Sequence, residues 1–267
     1  EFIDKRIESV VNLSDIIGSC DLVVDSMAWT AHRKAISDPF YDLKLNLLSH
    51  LKLIENLKGK KGKKVIFMGT RSQYGQISGI IDEETPKVTL DVQGINKEAA
   101  ESYFRIYSNI YGFDVASVRF GNTMGVNMRY KGDDIGLVGS LVRDLILGKK
   151  VKVYGEKHTR SFVYVGDLAE VVWRLATGDF AGFEAFNLNG QEMTVEELVT
   201  KIIKILGYGT YKIEKMPREI ASMDVGSSVL SEKKLMKFLG NIPKTNFDMA
   251  LGETVDYYLT KLKPEHG

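Results

Sequence analysis

The chain has 267 residues, 44% hydrophobic and 27% charged, with a formal net charge of +1. That balance fits one large folded domain, or one domain plus a small lobe, and gives no electrostatic reason for nucleic acid or a membrane surface as the main partner. The single Cys20 excludes an internal disulfide and a cysteine-based zinc site. No run approaches the ~18 apolar residues of a membrane span, and His32, His50, His158 and His266 show no metal-ligand spacing. The cytoplasm is the expected compartment.

In chain order, CDLVVDSMA (20–28) reads as a short buried strand and PFYDLKLNLLSHLKLIENLKG (39–59) as a helix ending at glycine. KKVIFMGT (63–70) is a continuous apolar strand, as parallel strands covered on both faces are. A helix over 96–112 stops at Gly112, and a third strand runs over 114–122. Next come a helix at 138–150, a strand at 151–155, a helix at 165–178 and a strand at 185–190. Thr194 with Glu197 three residues on forms a capping-box signal for a helix over 194–208. Helices at 230–240 and 247–263 close the chain. The alternation predicts an α/β fold with a parallel sheet and a smaller mixed lobe.

Several segments in register carry a resemblance. DLVVDSMAW (21–29), Asp38-Pro39 followed by Asn46, GTRSQYG (69–75), QGINKEAAE (93–101), VRFGNTMG (118–125) and VYGEKHTRSFVYVGDLAE (153–170) are similar, in order, to the motifs of the extended short-chain dehydrogenases/reductases. The branch resembled is the NAD-dependent epimerase/dehydratase family acting on nucleotide sugars. The resemblance runs from about Phe2 to the C-terminus. It implies a Rossmann-type sheet over 1–125 that also receives segments from 151–190, with 126–150 and 191–267 forming the substrate lobe.

It also implies a chemistry. A hydride passes from a sugar carbinol to NAD or NADP while a tyrosinate, assisted by a lysine, takes the hydroxyl proton. Carried over, the hydroxyl group is Thr70 and the lysine is Lys97, but the tyrosine position is Gln93. An amide is no general base near neutral pH. Tyr74 is the best stand-in, with Asp91 behind it. Ala28, Asn46 and Lys97 take cofactor positions; Asn122, Arg160 and Arg218 take those that hold the nucleotide-sugar diphosphate. The family's glycine-rich turn has no counterpart in this sequence, and GQISG (75–79) does not lie between a strand and a helix start.

A chain of this fold that opened at the third strand would leave a two-strand gap in the sheet. The expectation is therefore an N-terminal βαβ portion of roughly 30 residues or more beyond this text. Two classes remain open, an enzyme with an altered active site and a non-catalytic relative that binds a nucleotide sugar or a partner chain. The resemblance further implies a homodimer through helices 40–58 and 96–111, with Leu43, Leu47, Leu51, Ile54, Phe104, Tyr107 and Ile110 at the contact.

Overall fold

The computed structural model describes residues 2–132, 134–154, 158–222, 224 and 226–262, with residue 219 in its backbone only. The first half contains α1 (Leu13–Gly18), β1 (Leu22–Asp25), α2 (His32–Ser37), α3 (Pro39–Leu43), a π-turn (Lys44–Leu48), α4 (Ser49–Leu57), β2 (Lys64–Met68), β3 (Gly79–Ile81), α5 (Val92–Tyr111), β4 (Asp114–Phe120) and β5 (Asn122–Met124). The second half contains α6 (Gly136–Ile146), β6 (Val151–Tyr154), β7 (Thr159–Tyr164), α7 (Val165–Thr177), β8 (Phe183–Leu188), β9 (Gln191–Thr194), α8 (Val195–Leu206), β10 (Tyr211–Glu214), α9 (Arg218–Ala221), β11 (Ser228–Leu230), α10 (Lys233–Leu239) and α11 (Phe247–Leu262).

The main sheet runs β1-β2-β4-β8, all parallel. Alternation along its strands sends Val65, Phe67 and Val115 to one face, where Leu53, Ile54, Leu57, Ala100 and Phe104 of α4 and α5 cover them. Ile66, Ala116 and Val118 point to the other face, under Val171 and Leu175 of α7 and Leu235 of α10. Both faces are dry, which is why these strands read as unbroken apolar runs. A separate core of Val138, Leu145, Val153, Leu198, Ile202, Leu251 and Tyr258 holds the second lobe together.

Local signals account for the helix ends. The Asp91 carboxylate caps α5 by accepting from Gly94 N, and Gly112 closes it in the left-handed conformation at φ 72°. Thr194 and Glu197 form the expected capping box of α8.

The helix over 39–59 forms over 39–57 with a π-turn in its middle, which carries Asn46. β1 lies at the edge of the sheet and pairs with β2 alone among the described residues. Two expectations are corrected. β6, inside the stretch assigned to the Rossmann sheet, pairs instead with β10, and its Val151 and Val153 pack in the second core. Ile54 and Phe104 are buried in the chain's own core and are unavailable to a partner. The exposed large apolar residues of those helices are Phe40, Leu48, Tyr103, Ile106 and Ile110.

Candidate active site

Ligands of open parallel sheets bind beyond the carboxyl ends of the strands, and the site residues gather there. Thr70 follows β2 and caps the 3₁₀ turn Arg71–Tyr74. Its Oγ1 lies 3.0 Å from Ser72 Oγ and accepts from Ser72 N, while Thr70 N donates to Gln73 Oε1 at 2.9 Å. The first turn of α5 packs directly on this turn. A Cβ on Gly94 would sit 3.0 Å from Ser72 O and 3.2 Å from Asp91 Oδ1, so glycine there permits the approach.

Gln93 is a brace. It is buried, and its Nε2 donates to Trp29 O. Asn46 completes the clamp, accepting from Trp29 N at 2.9 Å and donating to Trp29 O at 2.9 Å. The amide at 93 thus fixes the loop after β1, beside exposed Ala28.

Lys97 is buried one turn further along α5. Its Nζ donates to Met27 O at 3.1 Å, lies 3.5 Å from His50 Nε2 and sits 4.5 Å from the Phe67 ring centroid. His50 Nδ1 in turn lies 2.7 Å from Asp25 Oδ2, and both side chains are fully buried. Burial pulls the lysine down to about 8, against the opposing charges of Asp25, Glu101 and Asp42. Burial also lowers His50, with Asp25 raising it and Lys97 lowering it. The Asp25–His50–Lys97 chain escaped the sequence reading, which tested the histidines only for metal spacing.

Tyr74 is not brought to the site. It has no exposed surface, its hydroxyl donates to Asn187 Oδ1 at 2.8 Å, and it accepts from Arg119 Nη1 at 2.6 Å. Burial raises its pKa, so the phenol stays protonated and cannot take a proton where it stands.

Thr70, Ser72, Asp91 and Asn122 line a cavity of about 690 Å³ that runs to the second lobe. Arg33, Arg71, Lys149, Lys150, Lys152 and Arg160 line it against three carboxylates, Asp91, Asp144 and Asp224. Arg160 Nη2 meets Asp224 Oδ2 at 2.6 Å and its Nη1 donates to Gly226 O at 3.0 Å. Arg71 Nε donates to Ser228 Oγ at 3.0 Å; burial, then the charge of Arg160, lowers it to about 10. Asn122 Nδ2 donates to Ser161 O at 3.4 Å. Arg218 starts α9 as an exposed residue and does not line the cavity.

His32, which the sequence reading passed over, also lines this cavity. Its Nδ1 lies 3.2 Å from Asp91 Oδ2. Nothing local announces the pair, since 59 residues separate the partners. Among the described residues no group of three or more His, Cys, Asp and Glu side chains could hold a metal ion, and no helix is long and apolar enough to cross a membrane.

Comparison with known proteins decides the family. The model of the NAD dependent epimerase/dehydratase family matches residues 1–188. The chain belongs to that family. A dTDP-glucose 4,6-dehydratase from Streptomyces niveus is 27% identical to this family member over 249 residues, 92% of this chain and 72% of that protein. A UDP-glucuronate 4-epimerase from Thermodesulfobacterium geofontis is 23% identical over 246 residues, 90% of this chain and 72% of that one. The crystal structure of the UDP-glucose 4-epimerase of Thermotoga maritima with UDP-glucose superposes at a TM-score of 0.86 and 25% identity, covering 98% of this chain and 85% of that one.

Proposed function

We propose that this family member is an NAD-dependent epimerase or dehydratase of nucleoside-diphosphate sugars. The carrying observation is the cavity: a hydroxyl pair, Thr70 and Ser72, beyond a central parallel strand, in the same cavity as six Lys and Arg side chains. The hydroxyls suit a sugar C–OH. The cations suit a diphosphate, whose oxygens a guanidinium pairs two at a time. Arg160 and Asn122 are the residues we assign to that diphosphate, and Arg218 is left outside it by its position.

We assign the nicotinamide-ribose end of NAD to Lys97, whose ammonium is buried outside the cavity lining with Met27 O and His50 Nε2 in reach among the described residues. Bound NAD supplies reversible hydride acceptance from the carbinol carbon. The chain's own part is to hold the sugar hydroxyl at Thr70 and Ser72, to anchor the phosphates, and to move the hydroxyl proton.

One observation favours a second reading, a binding relative without turnover: Gln93 is committed to Trp29 O and Tyr74 is buried, so neither takes that proton. Incubation with NAD and a panel of UDP-glucose, UDP-glucuronic acid and dTDP-glucose, followed by proton NMR of the sugar, separates the two. A new anomeric signal from any substrate supports the enzyme. Binding of the same sugars with no product supports the second reading.

A further inference from the structure

We infer that His32, held by Asp91, is the acid–base group of this site, doing the work that a tyrosine at 93 would otherwise do. The inference rests on the enzyme reading above. That reading needs a group in the cavity able to accept a proton from a sugar hydroxyl near Thr70. Gln93 has no basic atom and is tied to Trp29, Tyr74 is sealed in the core, and Lys97 does not line the cavity. His158 and Tyr154 also line it, but His158 sits against Asp224 at 3.2 Å, and the Tyr154 hydroxyl already accepts from Arg33 at 3.3 Å. His32 is held by Asp91, which packs against the Ser72 turn.

Its setting is that of an oriented base. Asp91 is 5% exposed at its side chain and His32 is 43% exposed, so the carboxylate anchors the inner edge of the ring and the outer edge faces the cavity. One Asp91 oxygen accepts from Gly94 N at 2.6 Å and the other faces His32 Nδ1. A carboxylate fixed in this way selects the tautomer with the proton on Nδ1, leaving the Nε2 lone pair free to accept. Burial works to protonate Asp91, but the hydrogen bond and charge of His32 and the Gly94 and Gln93 N–H groups overcome it, so the carboxylate stays ionised.

Asp91 packs against the turn that carries the hydroxyls. Ser72 O and Asp91 Oδ1 flank the same point above Gly94, and Ser72 Oγ is 3.0 Å from Thr70 Oγ1. On the other side, Thr30 N donates to Asp134 Oδ1 at 3.0 Å and Arg33 Nη2 to Tyr154 at 3.3 Å. The segment bearing His32 is therefore tied at both flanks to the second lobe.

The step balances as follows. The sugar O–H and C–H bonds break and a C=O bond forms. Bound NAD would accept the hydride, and the hydroxyl proton goes to His32 Nε2, giving an imidazolium beside Asp91. Return of hydride and proton restores an alcohol, with the proton coming back from His32.

The test uses the whole chain with NAD and with UDP-glucose or UDP-glucuronic acid. His32→Ala should lower kcat by about 10²–10⁴-fold, the scale of a positioned acid–base group, while nucleotide-sugar affinity by calorimetry stays within about threefold. Added imidazole should restore part of that turnover, a rescue that a purely structural tie would not give. His32→Asn, whose amide keeps a donor for Asp91, should behave as His32→Ala if the ring is the base. Retention of turnover in either variant, or loss that imidazole does not repair in a protein with unchanged thermal unfolding, overturns the assignment and leaves the enzyme reading standing. Sugar binding with no turnover in the unmodified chain overturns both.

Discussion

Replacing Glu101 by Gln tests the buried network that ties the Thr70 turn to the sheet. Glu101 on α5 is 1% exposed and accepts from Arg119 Nε at 2.9 Å and Nη2 at 2.7 Å, from Ser117 Oγ at 2.6 Å, and from Lys87 Nζ. Arg119 continues to Tyr74 at 2.6 Å, and Tyr74 to Asn187 on β8. Burial alone would raise the carboxyl, but Arg119 and Lys87 bring it from 4.5 down to about 2. At about 1.4 kcal/mol per tenfold, that gap is about 3 kcal/mol of folding stability. A lowered carboxyl contributes fully above its unfolded value, so this stability is present above about pH 4.5 and is lost as pH falls toward about 2. Glu101→Gln also strands the 3%-exposed Arg119 without its anion, and breaking a buried pair costs about 3–5 kcal/mol. Urea unfolding at pH 7 should show that loss in the midpoint with an unchanged slope, and the variant should lose much of the wild-type sensitivity to acid. A loss under about 1 kcal/mol, or an acid profile identical to wild type, refutes the reasoning.

Other outcomes follow from the same geometry. Lys97→Met removes a desolvated ammonium; a lysine lowered from 10.5 to about 8 is destabilising at neutral pH, and the wild type regains stability as pH rises from about 8 to 10.5. The variant should unfold later at pH 7 by about 1–3 kcal/mol, lack that alkaline gain, and lose hydride transfer. Arg160→Ala should weaken UDP-glucose binding by about 1.5–3 kcal/mol, the scale of a charge-assisted hydrogen bond, read by calorimetry. With His32 as base, Gln93→Tyr should bring no gain in turnover and should loosen the Trp29 loop; a gain of tenfold or more contradicts the assignment. If the exposed Leu48, Tyr103, Ile106 and Ile110 form a two-fold contact, Ile106→Glu should convert a dimer to a monomer by light scattering.

Much of the fold was legible because its signals are local. The dry strands read at 63–70 and 114–122, the Gly112 stop and the Thr194 capping box each depend on residues a few positions apart, and each forms, the strands over 64–68 and 114–120. Thr70, Gln93 and Lys97 were legible by motif, yet Gln93 is occupied by a backbone carbonyl 64 residues away. The pairs that define the chemistry are long-range. His32 meets Asp91, His50 meets Asp25 and Arg160 meets Asp224 only after the chain has folded. The π-turn at Asn46 was hidden for a related reason, since Lys44–Leu48 has ordinary helical spacing and its extra residue shows only in the hydrogen bonds. β3 and β11 are three residues each and pair across most of the chain, too short to carry a periodic signal.

The most direct test of the central claim is a rapid-mixing experiment in which the NAD-saturated protein meets a nucleotide sugar and absorbance is followed at the reduced-nicotinamide band. The account predicts a rise within the first turnover for UDP-glucose, UDP-glucuronic acid or dTDP-glucose, strongly reduced in His32→Ala. Sugars that bind, with no reduced nicotinamide at any pH, would contradict it.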